Sequence, residues 1–375
     1  MQSTHSDRLE RWLGTDQVAG IVRAMQGRGW YGRPIPVHGV PGVVYVTKDG
    51  DFVGEIRGGT EVAAVDRAAD YLRRQRRARV SLSAHRRREA GAFGTLSALI
   101  AAATGGKAQY PVFQKVGTAS NAIGNCEDLW IGTGQPSAGG AGAAAPGGTA
   151  HVSTDTGALK FANPANANTA HFAAGWATAS VINNTLLLYD RLFSVVKTMN
   201  STATQAVSGT FSRYQSGTAT NEDYIGGNFV FPMNPTTVLP ATAHNWTVCQ
   251  YTDQDSNATQ SIPVIAGVSA CTVGGVDLAV GSWFMPLAAG DVGVKALTQM
   301  QCSALVATGT ISFVVAHPIA FMPCPVANLV CQVDGINTAF NLTRIYDNAC
   351  LAFLEMPKPA TTATTYSGQL TIVAE

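Results

Sequence analysis

Hydrophobic residues recur at helical spacing mainly near the start of the chain. Leu9, Trp12, Leu13, Val18, Ile21, Val22 and Met25 make an approximate apolar stripe over residues 4–26, with Ser6 or Asp7 placed to cap it and Gly14 placed to divide it. The pattern then changes. Apolar segments at 43–46 and 52–56 flank Lys48-Asp49-Gly50-Asp51, and Asp-Gly is the composition a tight primed turn requires, so a hairpin is expected. Gly58-Gly59-Thr60 ends it and opens a second helix, with Glu61 at its positive end and Val62, Val65, Ala69 and Leu72 along it. Helix, hairpin and helix together predict a small basic α+β domain over residues 1–90.

Residues 91–150 read as a Gly/Ala-rich arm or linker. Its densest part, 132–148, includes Gly-Gly-Ala-Gly-Ala-Ala-Ala-Pro-Gly-Gly and has almost no side chain to bury. As a free loop it should be disordered; if ordered, it should be held by a neighbour. From 151 to 375 short β segments dominate. Residues 246–251 and 292–296 alternate, and Tyr366, Gly368, Leu370, Ile372 and Ala374 share one face of a final strand. Segments 228–231, 261–268 and 310–315 fit buried or half-buried strands. Asn234-Pro235, Leu239-Pro240, Gly274-Gly275, Gly290-Asp291 and Asp334-Gly335 punctuate them with turn chemistry. The fold expected is mainly β, an antiparallel β-sandwich or jelly-roll-like body in one or two β units. Residues 183–199 suit a helix about as well as a strand.

Length and charge sharpen this division. A chain of 375 residues exceeds one typical core. The net charge of +1 conceals 16 Lys+Arg against 10 Asp+Glu in residues 1–95, and 9 against 14 in the remaining 280. A surface with so few charges must be wetted by Thr, Ser, Asn, Gln and Gly or be covered by neighbouring subunits. The positive excess gathers at Arg73, Arg74, Arg76 and Arg77, with Arg79 and Arg86 to Arg88 beyond. Such a run is a possible basic contact surface for phosphates, but it lacks interleaved aromatics, so a solvated helix end or an arm on an acidic protein is the preferred reading over nucleic acid. The apolar stretch after Arg88 is too short and Gly-interrupted for a membrane span, and no apolar run precedes Asp7, so no conventional signal peptide is expected.

Candidate chemistry is sparse. The seven cysteines form no C-x-x-C pair and read as reduced, small core residues; the seven histidines are scattered singly. Gly267-Val268-Ser269-Ala270-Cys271 lacks the closing glycine of a nucleophile elbow, and no Walker loop or G-x-G-x-x-G occurs. Asp253-Gln254-Asp255-Ser256-Asn257 imitates a calcium loop, but Ala258 and Val264 replace the needed Gly and Glu, so a hairpin turn is expected. No catalytic residue, cofactor or metal is assigned.

Two related segments stand out instead. Leu186-Leu187-Leu188-Tyr189-Asp190-Arg191-Leu192 is echoed by Arg344-Ile345-Tyr346-Asp347-Asn348-Ala349-Cys350-Leu351, each placing charges in nearly uncharged sequence. Tyr189, Asp190, Arg191, Arg344, Tyr346 and Asp347 are therefore structural or interface candidates, pinning equivalent points of two β units. These segments and the strand-rich Thr/Gly/Ala sequence around them resemble virion structural proteins encoded near the capsid genes of tailed bacteriophages, over roughly residues 92–375. The resemblance implies a non-enzymatic capsid cement or decoration protein, homo-oligomeric as a trimer, contacting the major capsid protein at the virion surface. The alternatives are a tail or fibre component binding a host receptor, the major capsid protein, or a polysaccharide-degrading virion enzyme. Against the last, carboxylates are few and scattered.

Overall fold

The structure is a computed structural model that describes residues 93, 95–118, 122–164, 170–215, 227–335, 342–357 and 360–374, together with the backbone of three N-terminal strands. The chain divides into two compact units, residues 1–87 and 88–375. In the first, β1 (Pro34–Pro36), β2 (Val43–Lys48) and β3 (Asp51–Arg57) form an antiparallel sheet in that order. Lys48 pairs with Asp51, so β2 and β3 are the two strands of the hairpin that the sequence specifies, while Asp49 and Gly50 lie outside the described residues. The helices expected on either side, and Arg73, Arg74, Arg76 and Arg77, lie outside the described residues.

The second unit is mainly β. It opens with helix α1 (Leu96–Ala102), capped by the Thr95 hydroxyl accepting from Ala98 N, and Leu99 packs near Ala173 and Val373. Strands follow as β4 (Ala108–Gln109), β5 (Val112–Val116), β6 (Glu127–Asp128), β7 (Thr133–Gln135) and β8 (Thr149–Ala150). Next come β9 (Ala170–Ala179), β10 (Asn184–Thr198), β11 (Gln205–Ala206), β12 (Phe229–Met233) and β13 (Asn245–Asp253). The short β14 (Gln260–Ser261) and β15 (Ile265–Ala266) precede β16 (Val294–Cys302) and β17 (Thr310–Cys324). The chain closes with β18 (Cys331–Asp334), β19 (Arg344–Ile345), β20 (Leu351–Glu355) and β21 (Thr365–Ala374).

These strands make three antiparallel sheets. The middle one runs β12-β17-β10-β20-β6, with β8 also on β10; the second runs β11-β16-β13-β14; the third runs β18-β9-β21-β5-β7. Leu187, Tyr189, Phe193 and Val195 of β10 enter one core with Trp246, Tyr251, Leu297 and Met300 from the second sheet. Leu186 and Leu188, facing the other way, enter another core with Phe172, Leu370 and Ile372 from the third. The middle sheet is thus apolar on both faces. This explains the ambiguity at 183–199: a strand covered on both sides shows a continuous hydrophobic run in place of alternation.

The partner strand β17 runs well beyond the 310–315 read from sequence, through Pro318 and Pro323. Leu188 pairs with Ala320 but Tyr189 with Pro318, so Ile319 is an extra residue in the ladder, and an irregularity of this kind is where a sheet accommodates proline. The expectation for 132–148 is corrected more directly. No neighbouring chain is needed to order this stretch, because β10, β17 and Trp130 hold it. Val196 N donates to Ala143 O, Ser312 Oγ to Ala141 O and the Trp130 indole to Gly140 O, at 3.0, 2.8 and 2.7 Å. Gly139 lies so close to the Trp130 ring that any side chain there would overlap it.

Candidate functional site

The central stretch of β10 places Tyr189, Asp190 and Arg191 where water does not reach: each is 0% exposed. Each therefore needs partners inside the protein. Arg191 Nη1 donates to Asp128 Oδ2 at 2.6 Å, and Tyr189 Oη donates to Asp128 Oδ1 at 2.7 Å. Arg191 also lies over the Trp130 ring, 4.8 Å from its centroid. Asp128 belongs to β6, so this triad ties the middle of the sheet to its edge. Burial alone would lower the Arg191 pKa, but Tyr189 and Asp128 raise it on balance; burial and Asp128 push the Tyr189 phenol well up, keeping it a neutral donor.

Asp190 serves a second pair. Arg213 grips it in bidentate fashion, Nε to Oδ2 at 2.7 Å and Nη2 to Oδ1 at 2.8 Å, and reaches the His151 carbonyl with Nη2. Cys350 N also donates to Asp190 Oδ1 at 2.8 Å, while Arg191 N donates back to Cys350 O at 2.8 Å. The register of β10 against β20 is therefore fixed by a side chain as well as by the ladder, in which Asp190 pairs with Leu351.

The third part of the cluster comes from the loop after β8. His151 Nδ1 lies 2.7 Å from Asp155 Oδ2, and its Nε2 lies 2.8 Å from Ser194 Oγ and 3.3 Å from Arg191 Nε. Burial lowers the His151 pKa and Arg191 adds to this, against the opposing pull of Asp155. The neutral tautomer that fits has Nδ1–H donating to Asp155 and Nε2 accepting from Ser194. Serine, histidine and aspartate in this order imitate a nucleophilic triad. Two features work against that chemistry. Taking the Ser194 proton would place an imidazolium against the Arg191 guanidinium, and Ser194 is fully buried, with Gly142 packed against its Oγ so closely that an added Cβ would overlap it. The arrangement holds strands and loops in register and gives an acyl substrate no room.

No protein-family model matches the chain, and no curated protein sequence does. Among solved structures it is similar, at 10% identity, to the VP2 subviral particle of infectious bursal disease virus, over 72% of this chain and 81% of that one, with a TM-score of 0.16. Particles of T=1 type derived from infectious bursal virus give 9% identity, 72% and 79% coverage and a TM-score of 0.16. The Gt strain structure of the same virus gives 10%, 72%, 80% and 0.12.

The sequence-predicted residues are not distributed symmetrically. Asp190 is fully buried, whereas Asp347 is exposed in the turn between β19 and β20. The Arg344 guanidinium covers the Tyr346 ring at 4.1 Å, and Tyr346 packs edge-on against Tyr214. The two segments meet through Cys350 and Asp190; they do not occupy equivalent points. Asp128, His151, Asp155, Ser194 and Arg213 are the members that sequence reading missed. Their one signal was being charged or polar within an otherwise charge-poor body. The Asp253 loop is the hairpin turn expected between β13 and β14: Asp253 Oδ1 accepts from Asp255 N and Asn257 N, and Oδ2 from Asn257 Nδ2. Six of the seven cysteines are buried, with Cys331 intermediate.

Proposed function

We propose that this chain is a non-enzymatic structural subunit of a virus particle, working through subunit–subunit contacts, with the cement or decoration protein of a phage head as its specific form. The observation that carries this reading is an apolar tip. Ile182, in the β9–β10 turn, and Val326, Leu329 and Val330, in the β17–β18 connection, are about half exposed (53, 49, 57 and 50%). The two turns are bound together by Asn183 N to Pro325 O at 3.1 Å and Asn328 N to Ala179 O at 2.8 Å, so the turns that carry these side chains lie together at one end of β10 and β17, the two longest described strands. A grouped apolar surface on a charge-poor body marks a contact surface. Oligomers that bury such a surface are symmetric, and a trimer suits a local threefold of a shell. Contacts of that kind stabilise by mass action and require no active site.

The test is location. Gel analysis and microscopy of purified particles should find the protein in high copy number on heads. A few copies at the tail would favour receptor binding, and absence from particles would sink the proposal. No helix among the described residues is long and apolar enough to cross a membrane.

A further inference from the structure

We propose that His151, Asp155 and Cys350 form a zinc site that clips the loop after β8 to the start of β20. This goes beyond the virion reading and does not rest on it. A ring nitrogen of His151, an Asp155 carboxylate oxygen and Cys350 Sγ all lie within 4.8 Å of one another, and Nδ1 is the nitrogen beside Asp155, 2.7 Å from its Oδ2. Ligand atoms held about 2.0–2.3 Å from a single zinc ion lie roughly 3–4 Å apart, so small side-chain rotations complete the set. Nitrogen, oxygen and sulfur donors together suit zinc; calcium and magnesium prefer oxygen alone.

The backbone already fixes the three residues. His151 N donates to Leu192 O, Ser153 N to Asn348 O and Leu159 N to Leu351 O, at 3.0, 3.0 and 2.9 Å. The loop and the strand therefore meet with or without metal, and an ion would lock a contact that exists. Nε2 faces Ser194 Oγ at 2.8 Å and Arg191 Nε at 3.3 Å, and of these the Ser194 hydroxyl can accept from it as the outer partner of a metal-ligating imidazole. The Asp155 side chain is 28% exposed, which gives the ion a path inward and water a place as fourth ligand.

Charge balance supports the same set. Arg191 and Arg213 would repel a cation, but each is already matched, by Asp128 at 2.6 Å and by Asp190 at 2.7 Å. The remaining acids are Asp155 and the Cys350 thiol, which as carboxylate and thiolate neutralise a divalent ion. Binding breaks the Cys350 S–H bond and forms a sulfur–zinc bond. The Nδ1 proton of His151 is lost as nitrogen takes the metal, and Nε2 gains one that it donates to Ser194 Oγ, whose hydroxyl hydrogen turns away; the imidazole stays neutral, and Arg191 Nε, 3.3 Å from Nε2, gives up Nε2 as its acceptor while Arg191 Nη1 keeps Asp128. One proton is released overall, and no electrons are transferred.

The experiment uses the full chain, stripped of metal by a chelator and kept reduced with a phosphine. Titration with Co2+ should produce a thiolate-to-cobalt charge-transfer absorption that Zn2+ abolishes, and Zn2+ should raise Tm. Cys350→Ser should lose the absorption and the Tm shift, and Cys331→Ser should keep both. Asp155→Asn, at the rim and expected to fold, should bind Zn2+ at least about tenfold more weakly. Absence of the charge-transfer absorption in the unaltered chain, or unchanged binding in a folded Asp155→Asn, would overturn the proposal.

Discussion

Asp190 and Asp347 each follow a tyrosine in the sequence and have opposite surroundings in the fold. Asp190→Ala strips Arg213 and the Cys350 amide of their shared acceptor inside the protein, and breaking such a buried pair costs about 3–5 kcal/mol. Asp347→Ala, in an exposed turn, should change stability by no more than about 0.5 kcal/mol. Urea unfolding of the two variants measures the contrast. Asp128→Asn and Arg191→Met should each be costly, and the double variant should lose less than their sum because neither charge is then stranded; equal additive losses would disprove coupling. His317 supplies a pH prediction. It stacks on Tyr214 with centroids 3.7 Å apart, and burial lowers its pKa from 6.5 to about 3. The unfolded chain takes up this proton at higher pH than the folded one, so the contribution is present above pH 6.5 and is lost as pH falls towards 3. Over that window His317→Gln should flatten the pH dependence of stability by up to about 1.4 kcal/mol per unit. Unfolding free energies of both proteins through the same buffers give the answer.

At the scale of elements, β10 and the glycine-rich stretch beside it show how context changes a pattern's meaning. The run from Leu186 to Leu192 lacks alternation because cores lie on both faces of its sheet. At Gly139, Gly142 and Gly148 the 132–148 stretch lacks side chains because Trp130, Ser194 and Phe193 occupy the space that side chains would need. Gly139→Ala should therefore cost about 1–3 kcal/mol through overlap with Trp130. Gly147→Ala has open space around it and serves as the control, with a change near zero or slightly stabilising. Thermal melts of the pair separate close packing from a general intolerance of the loop. The β21 strand needed no such context: its alternation of Tyr366, Gly368, Leu370, Ile372 and Ala374 gives the buried face of an outer sheet.

At the scale of the whole molecule, the prediction concerns the apolar tip. Ile182→Lys with Leu329→Lys changes exposed side chains only, so the isolated chain should keep its folding free energy within about 1 kcal/mol. Self-association, followed by sedimentation, and incorporation into particles should both fall if the tip is the contact surface. Unchanged association in a folded double variant would move the search to another face of the body. An oligomer held by this tip also predicts concentration-dependent Tm in the unaltered protein and its loss in the variant.

The sequence by itself determined what local chemistry controls: the pairing of 43–48 with 51–57, a strand at 246–251, the alternating strand at 366–374, the Asp253 turn and the scarcity of charge after residue 95. These depend on neighbours a few residues apart, where periodicity and turn preference act. The tertiary structure alone decided that β10 is a strand with two covered faces, that the glycine-rich stretch lies along it, and that Asp128, His151, Asp155, Arg213 and Cys350 converge on Asp190, Arg191 and Ser194. Those partners are scattered along the chain from β6 to β20. Only sheet pairing brings them together, and a buried charge specifies that a partner is needed without specifying which residue supplies it.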